Sequence, residues 1–144
     1  SAYFEANDLP GMANWMRMQA QEENTHAMKF FDFVNERDGR VLLTQIEAPK
    51  TEWASSLNVF EEAFAHEQKV TGLINDLVDL SLSEKDHASN AFLQWFVTEQ
   101  VEEESAAKTI VDKLAMIGND PVALYMLDGE LGQRTLPSPT ETAE

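Results

Sequence analysis

Polar and apolar positions along this chain repeat with helical spacing. Met12, Met16, Gln19, Glu23, His26, Phe30 and Phe33 follow one another in steps of four and three, which lines them up along one side of a helix. Leu57, Phe60, Phe64, Glu67, Thr71, Ile74 and Val78 repeat the pattern, and so do Phe92, Phe96, Glu99, Glu103, Ala106 and Ile110. Strand signals are scarce. The expected fold class is all-α, with three long helices packing through these stripes.

Punctuation residues place the ends of those helices. Residues 1–7 read as the last turns of a helix whose beginning lies upstream. Asp8 is the expected N-cap of the first complete helix, with Pro10 in its first turn, and Asp38-Gly39 is its expected end. Residues 40–55 form a long connection, extended over 41–46 and broken at Pro49. Ser55 or Ser56 caps a second helix running to about Leu82, residues 83–86 open a third lasting to Gly118, and Asp120-Pro121 starts a short helix that Gly132 ends. A link of roughly fifteen residues can cross the length of a bundle, so the first two complete helices need not be antiparallel neighbours. The second and third are joined tightly and should be antiparallel. One bundle domain over residues 1–134 is expected, followed by a mobile tail, residues 135–144, with two prolines and no aliphatic residue after Leu136.

Each stripe is interrupted where Leu or Ile would be expected. Glu23 with His26, then Glu67, then Glu103 occupy inward positions, and apolar residues flank each acid on both sides. A buried charge without a partner is strongly unfavourable. One such acid is often structural, part of a hydrogen-bonded pair; three at matched depth beside an imidazole point to cations held between the helices. Glu23-x-x-His26 sets carboxylate and imidazole on one face a turn apart, so both can bind one ion while the second oxygen of Glu23 bridges to another. Mixed carboxylate–imidazole ligation without thiolate suits iron(II), manganese or zinc. With Glu67 and Glu103 as terminal ligands, a two-metal centre is the natural count. Gln100, on the same face as Glu103, could hydrogen-bond a bound oxygen species or water. His66 points about 100° away from Glu67 and reads as a surface or interface group. His87, in the first turn of its helix, reads as a capping or solvent group, and Trp15, Trp95 and the phenylalanines as core.

Composition narrows the partners. The 144 residues make one domain able to bury a core. A formal charge of −16, from 26 acids against 10 bases, argues against nucleic acid or an anionic membrane as partner and suits the concentration of cations. With no cysteine, disulfides, thiolate-bound zinc and iron–sulfur clusters are excluded. No apolar run approaches the roughly 18 residues of a membrane span. The chain opens Ser-Ala-Tyr-Phe-Glu, with no secretory signal and no initiator Met. The expected location is the cytoplasm, and the expected natural start lies elsewhere.

A Glu-x-x-His motif with single glutamates on other helices is the pattern of ferritin-like di-metal bundles. Residues 21–26 (Gln-Glu-Glu-Asn-Thr-His), residues 92–104 with Gln100-x-x-Glu103, and residues 124–131 (Leu-Tyr-Met-Leu-Asp-Gly-Glu-Leu) resemble, in order, the non-haem bacterial ferritins. The resemblance covers nearly everything from Ser1 to Leu131. It implies a four-helix bundle with one long crossover and a short C-terminal helix, most of the first helix being absent from this sequence. By position, Glu23 would bridge two irons, His26 would complete the first, and Glu67 with Glu103 the second. Gln100 would line the oxygen-binding side, and Glu22, Glu99 and Glu102 would join Glu103 in a third metal site. A solvated acidic face is the plainer reading of Glu22, Glu99 and Glu102.

The resemblance further implies oxidation of iron(II) by dioxygen or hydrogen peroxide, ferric mineral storage, and a homo-oligomeric cage of roughly two dozen subunits. The short last helix would lie at an inter-subunit axis. No haem is expected: bacterioferritin would carry a second Glu-x-x-His, and alanine stands at both 106 and 107. The family's first helix also supplies a glutamate to the first iron and a nearby tyrosine, which would both lie upstream of Ser1. Two rivals follow. One is a free-standing di-iron oxidase or peroxidase, disfavoured by the short last helix and the lack of a cysteine-ligated segment. The other is a catalytically incomplete cage subunit.

Overall fold

A computed structural model describes residues 1–136 of the chain. The expected tail at 135–144 therefore lies mostly outside the described residues. Among the described residues there are five helices and no strand: α1 (Ala2–Ala6), α2 (Pro10–Glu36), α3 (Ser56–Ser83), α4 (His87–Ile117) and α5 (Pro121–Leu131). The chain divides into two compact units. One comprises Ser1–Glu52 with Asp120–Glu144, the other Trp53–Asn119.

Three of the helix ends share one chemistry. At the end of α2, Gly39 donates to the Val34 carbonyl at 2.8 Å and Asp38 to that of Asn35 at 3.1 Å, with Asp38 at φ 58. This is the paired closure of a Schellman turn. Lys85 (φ 57) closes α3 in the same way, Asp86 N–H reaching the Ser81 carbonyl at 2.8 Å. Asp8 (φ 56) does so for α1, Leu9 N–H reaching the Phe4 carbonyl at 3.0 Å. The expected role of Asp8 as N-cap of α2 is thereby corrected. Its backbone is committed to the left-handed turn that ends α1, and the N-cap is Leu9, which has no side chain able to cap.

The missing cap comes from far along the chain. Asp128 of α5 accepts from Gly11 N–H at 3.0 Å and from Met12 N–H at 2.8 Å. A buried carboxylate thus satisfies two of the amides that every helix N-terminus leaves open, and its charge opposes the positive end of the helix dipole. The approach is close enough to require glycine. A Cβ on Gly11 would lie 1.7 Å from the Asp128 carbonyl oxygen. Asn14 adds a bond from its side-chain amide to the Arg134 carbonyl at 3.0 Å.

In the second unit, Ser55 caps α3 by accepting from Asn58 N–H, and Asp86 caps α4 by accepting from Ser89 N–H at 3.1 Å. Contacts Asn90–Ser81, Gln100–Thr71 and Gln100–Glu67 step away from the 84–86 turn along both helices, so α3 and α4 run antiparallel, as expected. Gly118 at φ 58 ends α4, and Asp120 caps α5 through Val122 N–H at 2.9 Å. The connection over 37–55 has no regular structure, and it leaves Leu42, Leu43 and Ile46 exposed. At its end Trp53 Nε1 donates to Glu62 at 2.8 Å.

The apolar stripe of α3 is where its spacing puts it, with Phe60, Glu67 and Ile74 buried. The stripe of α4 is rotated from the expected one. Its buried line runs Leu93, Phe96, Gln100, Glu103, Ala107, Ile110 and Leu114, while Glu99 is half-buried and Ala106 exposed. Both lines keep three-and-four spacing. The one with neutral Gln100 in place of a further carboxylate is cheaper to bury.

Asp128→Ala is expected to lower the unfolding free energy by about 1–2 kcal/mol, the loss typical of a helix cap. Gly11→Ala should cost more, because α5 would have to move. Asp8→Gly should be neutral or stabilising, because glycine takes that turn conformation freely. Chemical unfolding of the purified variants measures all three.

Candidate metal centre

The sequence-derived ligands fall on both units. On α2, Gln19 Nε2 donates to Glu23 Oε1 at 3.1 Å, and His26 Nδ1 stands 3.5 Å from Glu23 Oε2. The i,i+4 and i,i+3 spacings make both contacts possible on one helix face. His26 has 12% of its side chain exposed and Glu23 44%. Glu23 is therefore less deeply set than its place in the stripe led one to expect. It remains on the least exposed line of α2 between Gln21 and Phe31.

On α3 and α4, Glu67 (7% exposed), Gln100 (4%) and Glu103 (6%) are all buried. Gln100 Nε2 lies 3.2 Å from the Glu67 carbonyl and 3.4 Å from Glu67 Oε2. Thr71 Oγ1 donates to Glu104 Oε1 at 2.5 Å and lies 3.4 Å from Gln100 Nε2. His66 is exposed, in accord with its expected surface position, although its Nδ1 comes within 3.7 Å of Glu67 Oε1.

The proposed third-site acids differ among themselves. Glu99 is half-buried and Glu102 exposed. Glu22, with only 13% of its side chain exposed, is ion-paired with Arg134. The Arg134 guanidinium sits 4.3 Å from the centroid of the Trp15 ring, a cation–π stack that holds the residues after α5 onto α2. Periodicity gave no sign of Arg134, a lone base between a helix-ending glycine and a proline. Thr71 was visible as a hydroxyl on an apolar stripe, and its partner Glu104 follows Gln100 by one helical turn.

Long helices that turn carboxylate, amide and imidazole groups inward, without thiolates, define a class of all-α proteins whose donors suit first-row divalent metals. Residues 1–117 match the ferritin-like domain. A bacterial non-heme ferritin of Staphylococcus saprophyticus is 43% identical over 135 residues, 94% of this chain and 81% of that protein. One from Bacteroides fragilis is 42% identical over 134 residues, 93% of this chain and 83% of its own length. The solved open pore ferritin of the archaeon Archaeoglobus fulgidus superposes with a TM-score of 0.92 at 53% identity, covering 93% of this chain and 82% of that one. The chain belongs to the ferritin family, and its all-α fold is the ferritin-like one.

Arg134→Ala is expected to cost about 1–2 kcal/mol of stability through loss of the ring stack and the ion pair. Arg134→Lys should recover less than half, since an ammonium does not stack on indole as a guanidinium does. Unfolding curves of the two variants compare them directly.

Proposed function

We propose that this protein is an iron-storage ferritin that oxidises iron(II) with dioxygen and retains the ferric product as mineral inside a homo-oligomeric cage. The observation that carries this reading is the buried set Glu67, Gln100 and Glu103 in the seam of α3 and α4, in a chain whose α2 carries the Glu23–His26 pair. Hard carboxylate oxygens and a single imidazole are donor types that suit iron(II). Iron is the substrate here, and each pair of ions supplies two electrons to one oxidant molecule.

The roles follow from the donors. Glu23 has two oxygens and bridges the ion pair; His26 gives one of the ions its imidazole; Glu67 and Glu103 hold the other. Gln100, an amide beside Glu67, orients that carboxylate and the groups around the pair. Glu99, Glu102 and Glu103 have the spacing for a third ion, and one that also takes Glu22 must displace Arg134. No helix among the described residues is long and apolar enough to cross a membrane. The reading places the protein in the cytoplasm, without haem and without a nucleic-acid partner.

His26→Ala should weaken one ion of the pair by at least the roughly tenfold that loss of even an outer-shell partner causes, and leave the other nearly unchanged. Glu67→Ala and Glu103→Ala should weaken the second ion. Competitive titration with zinc(II), oxygen uptake on iron(II) addition and native mass measure the site, the reaction and the cage in turn. Equal loss at both ions in His26→Ala, or no oxygen uptake by an assembled wild-type protein, would overturn the corresponding part.

A further inference from the structure

We propose that Glu104 and Thr71 are positioning residues, which through one hydroxyl proton fix how the Gln100 amide holds the Glu67 carboxylate. The amide of a glutamine has two ends of nearly equal shape, so packing hardly distinguishes them; hydrogen-bond polarity does. Gln100 Nε2 faces three oxygens: the Glu67 carbonyl at 3.2 Å, Glu67 Oε2 at 3.4 Å and Thr71 Oγ1 at 3.4 Å. The carbonyl only accepts, and it takes one N–H. The second N–H is shared between Glu67 Oε2 and the hydroxyl of Thr71.

That hydroxyl is the one group of the set able to act in either sense. If its proton pointed at Gln100, donor would face donor and the amide would have to turn. Glu104 removes the choice. Its carboxylate oxygen, 2.5 Å from Thr71 Oγ1, accepts the proton in a short, charge-assisted bond. Thr71 is left with its lone pairs toward Gln100. The polarity then runs one way, from the Gln100 amide to the Thr71 hydroxyl to the Glu104 carboxylate. The amide plane is fixed, Glu67 Oε2 keeps its N–H, and the Gln100 carbonyl oxygen is turned away from both. Glu67, the proposed ligand, is thus oriented by a residue of α4 that does not touch it. The consequence for metal rests on the function proposed above; the relay itself does not.

The geometry also makes the relay testable without unfolding the helices. Thr71, Gln100 and Glu104 line a cleft of about 350 Å³ between α3 and α4, together with Ile74, Asn75 and Val97. A substituted side chain at 71 or 104 has room. Glu104→Gln can present its own NH2 to Thr71 and so reverse the polarity, while Thr71→Val removes the hydroxyl at nearly constant shape. Thr71→Ser keeps it.

Zinc(II) titration of the full chain, stripped of metal, is expected to show about tenfold weaker binding at one ion in Glu104→Gln and in Thr71→Val, the usual size of an outer-shell loss. Thr71→Ser should stay within about threefold of wild type. Metal-free thermal unfolding supplies the second readout. Gln100→Leu and Glu104→Gln should be non-additive when Thr71 is present and additive in the Thr71→Val background. Wild-type zinc affinity in both Glu104→Gln and Thr71→Val, or a Thr71→Ser variant as weak as Thr71→Val, would overturn the relay. Coupling that survives Thr71→Val would do the same. If Glu67→Ala leaves zinc binding unchanged, the metal-site reading fails, and the metal-free coupling still decides the relay.

Discussion

Placing carboxylates between two helices is unfavourable unless every oxygen finds a donor or a cation, and the pair α3–α4 does it twice, at Glu67 and Glu103. That constraint governs the rest of the unit. Phe60, Ile74, Phe96 and Ile110, buried above and below the acids, hold the two helices in one register. The turn at 84–86 and the caps at Ser55 and Asp86 set where each helix begins. A slip of one residue would carry a carboxylate about 100° around its helix and out of reach of its partners. The neutral Gln100 beside Glu67 lowers the cost, because its amide donates hydrogen bonds to the Glu67 oxygens without adding charge.

The first unit meets a related difficulty with backbone groups. A helix opening at Leu9-Pro10 has no side chain of its own with which to satisfy its first amides. Asp128 supplies the carboxylate, and Gly11 clears the space for it. The same face of α2 then takes Arg134 over Trp15 and against Glu22. Glu22 is thereby committed as the anchor of the segment after α5, a use that competes with the third-ion role proposed for it.

Much of this was legible in the sequence, because three-and-four spacing reports which side of a helix is buried wherever the apolar residues are large. The stripe of α3 was readable for that reason, and the helix ends at Asp38-Gly39, Ser55, Asp120 and Gly132 because capping and turn residues mark them. The α4 stripe was not, since Glu99 and Gln100 each continue a valid repeat and only packing against Glu67 and Thr71 selects Gln100. Asp8 misled because Asp suits both an N-cap and a left-handed turn, and nothing local decides between them. Of the site residues, Glu67 and Glu103 stood out as polar groups on greasy lines, and Gln100 as an amide one helical turn before Glu103. Asp128 and Arg134 act on partners more than a hundred residues away, and spacing along one helix carries no record of such pairings.

The hydrogen bonds that Gly11 and Met12 donate to Asp128 join residues more than a hundred positions apart, and that bears on the order in which the protein folds as it is synthesised. Residues 10–12 leave the ribosome long before residue 128 exists, so the opening turn of α2 begins life hydrated and fraying. Local helix formation is fast, whereas contacts of large sequence separation wait on loop closure. The α3–α4 hairpin, with its tight turn, can therefore form while α2 is still unanchored at its start. Only when α5 has been made does α2 acquire a fixed first turn, so a helix translated later completes one translated earlier.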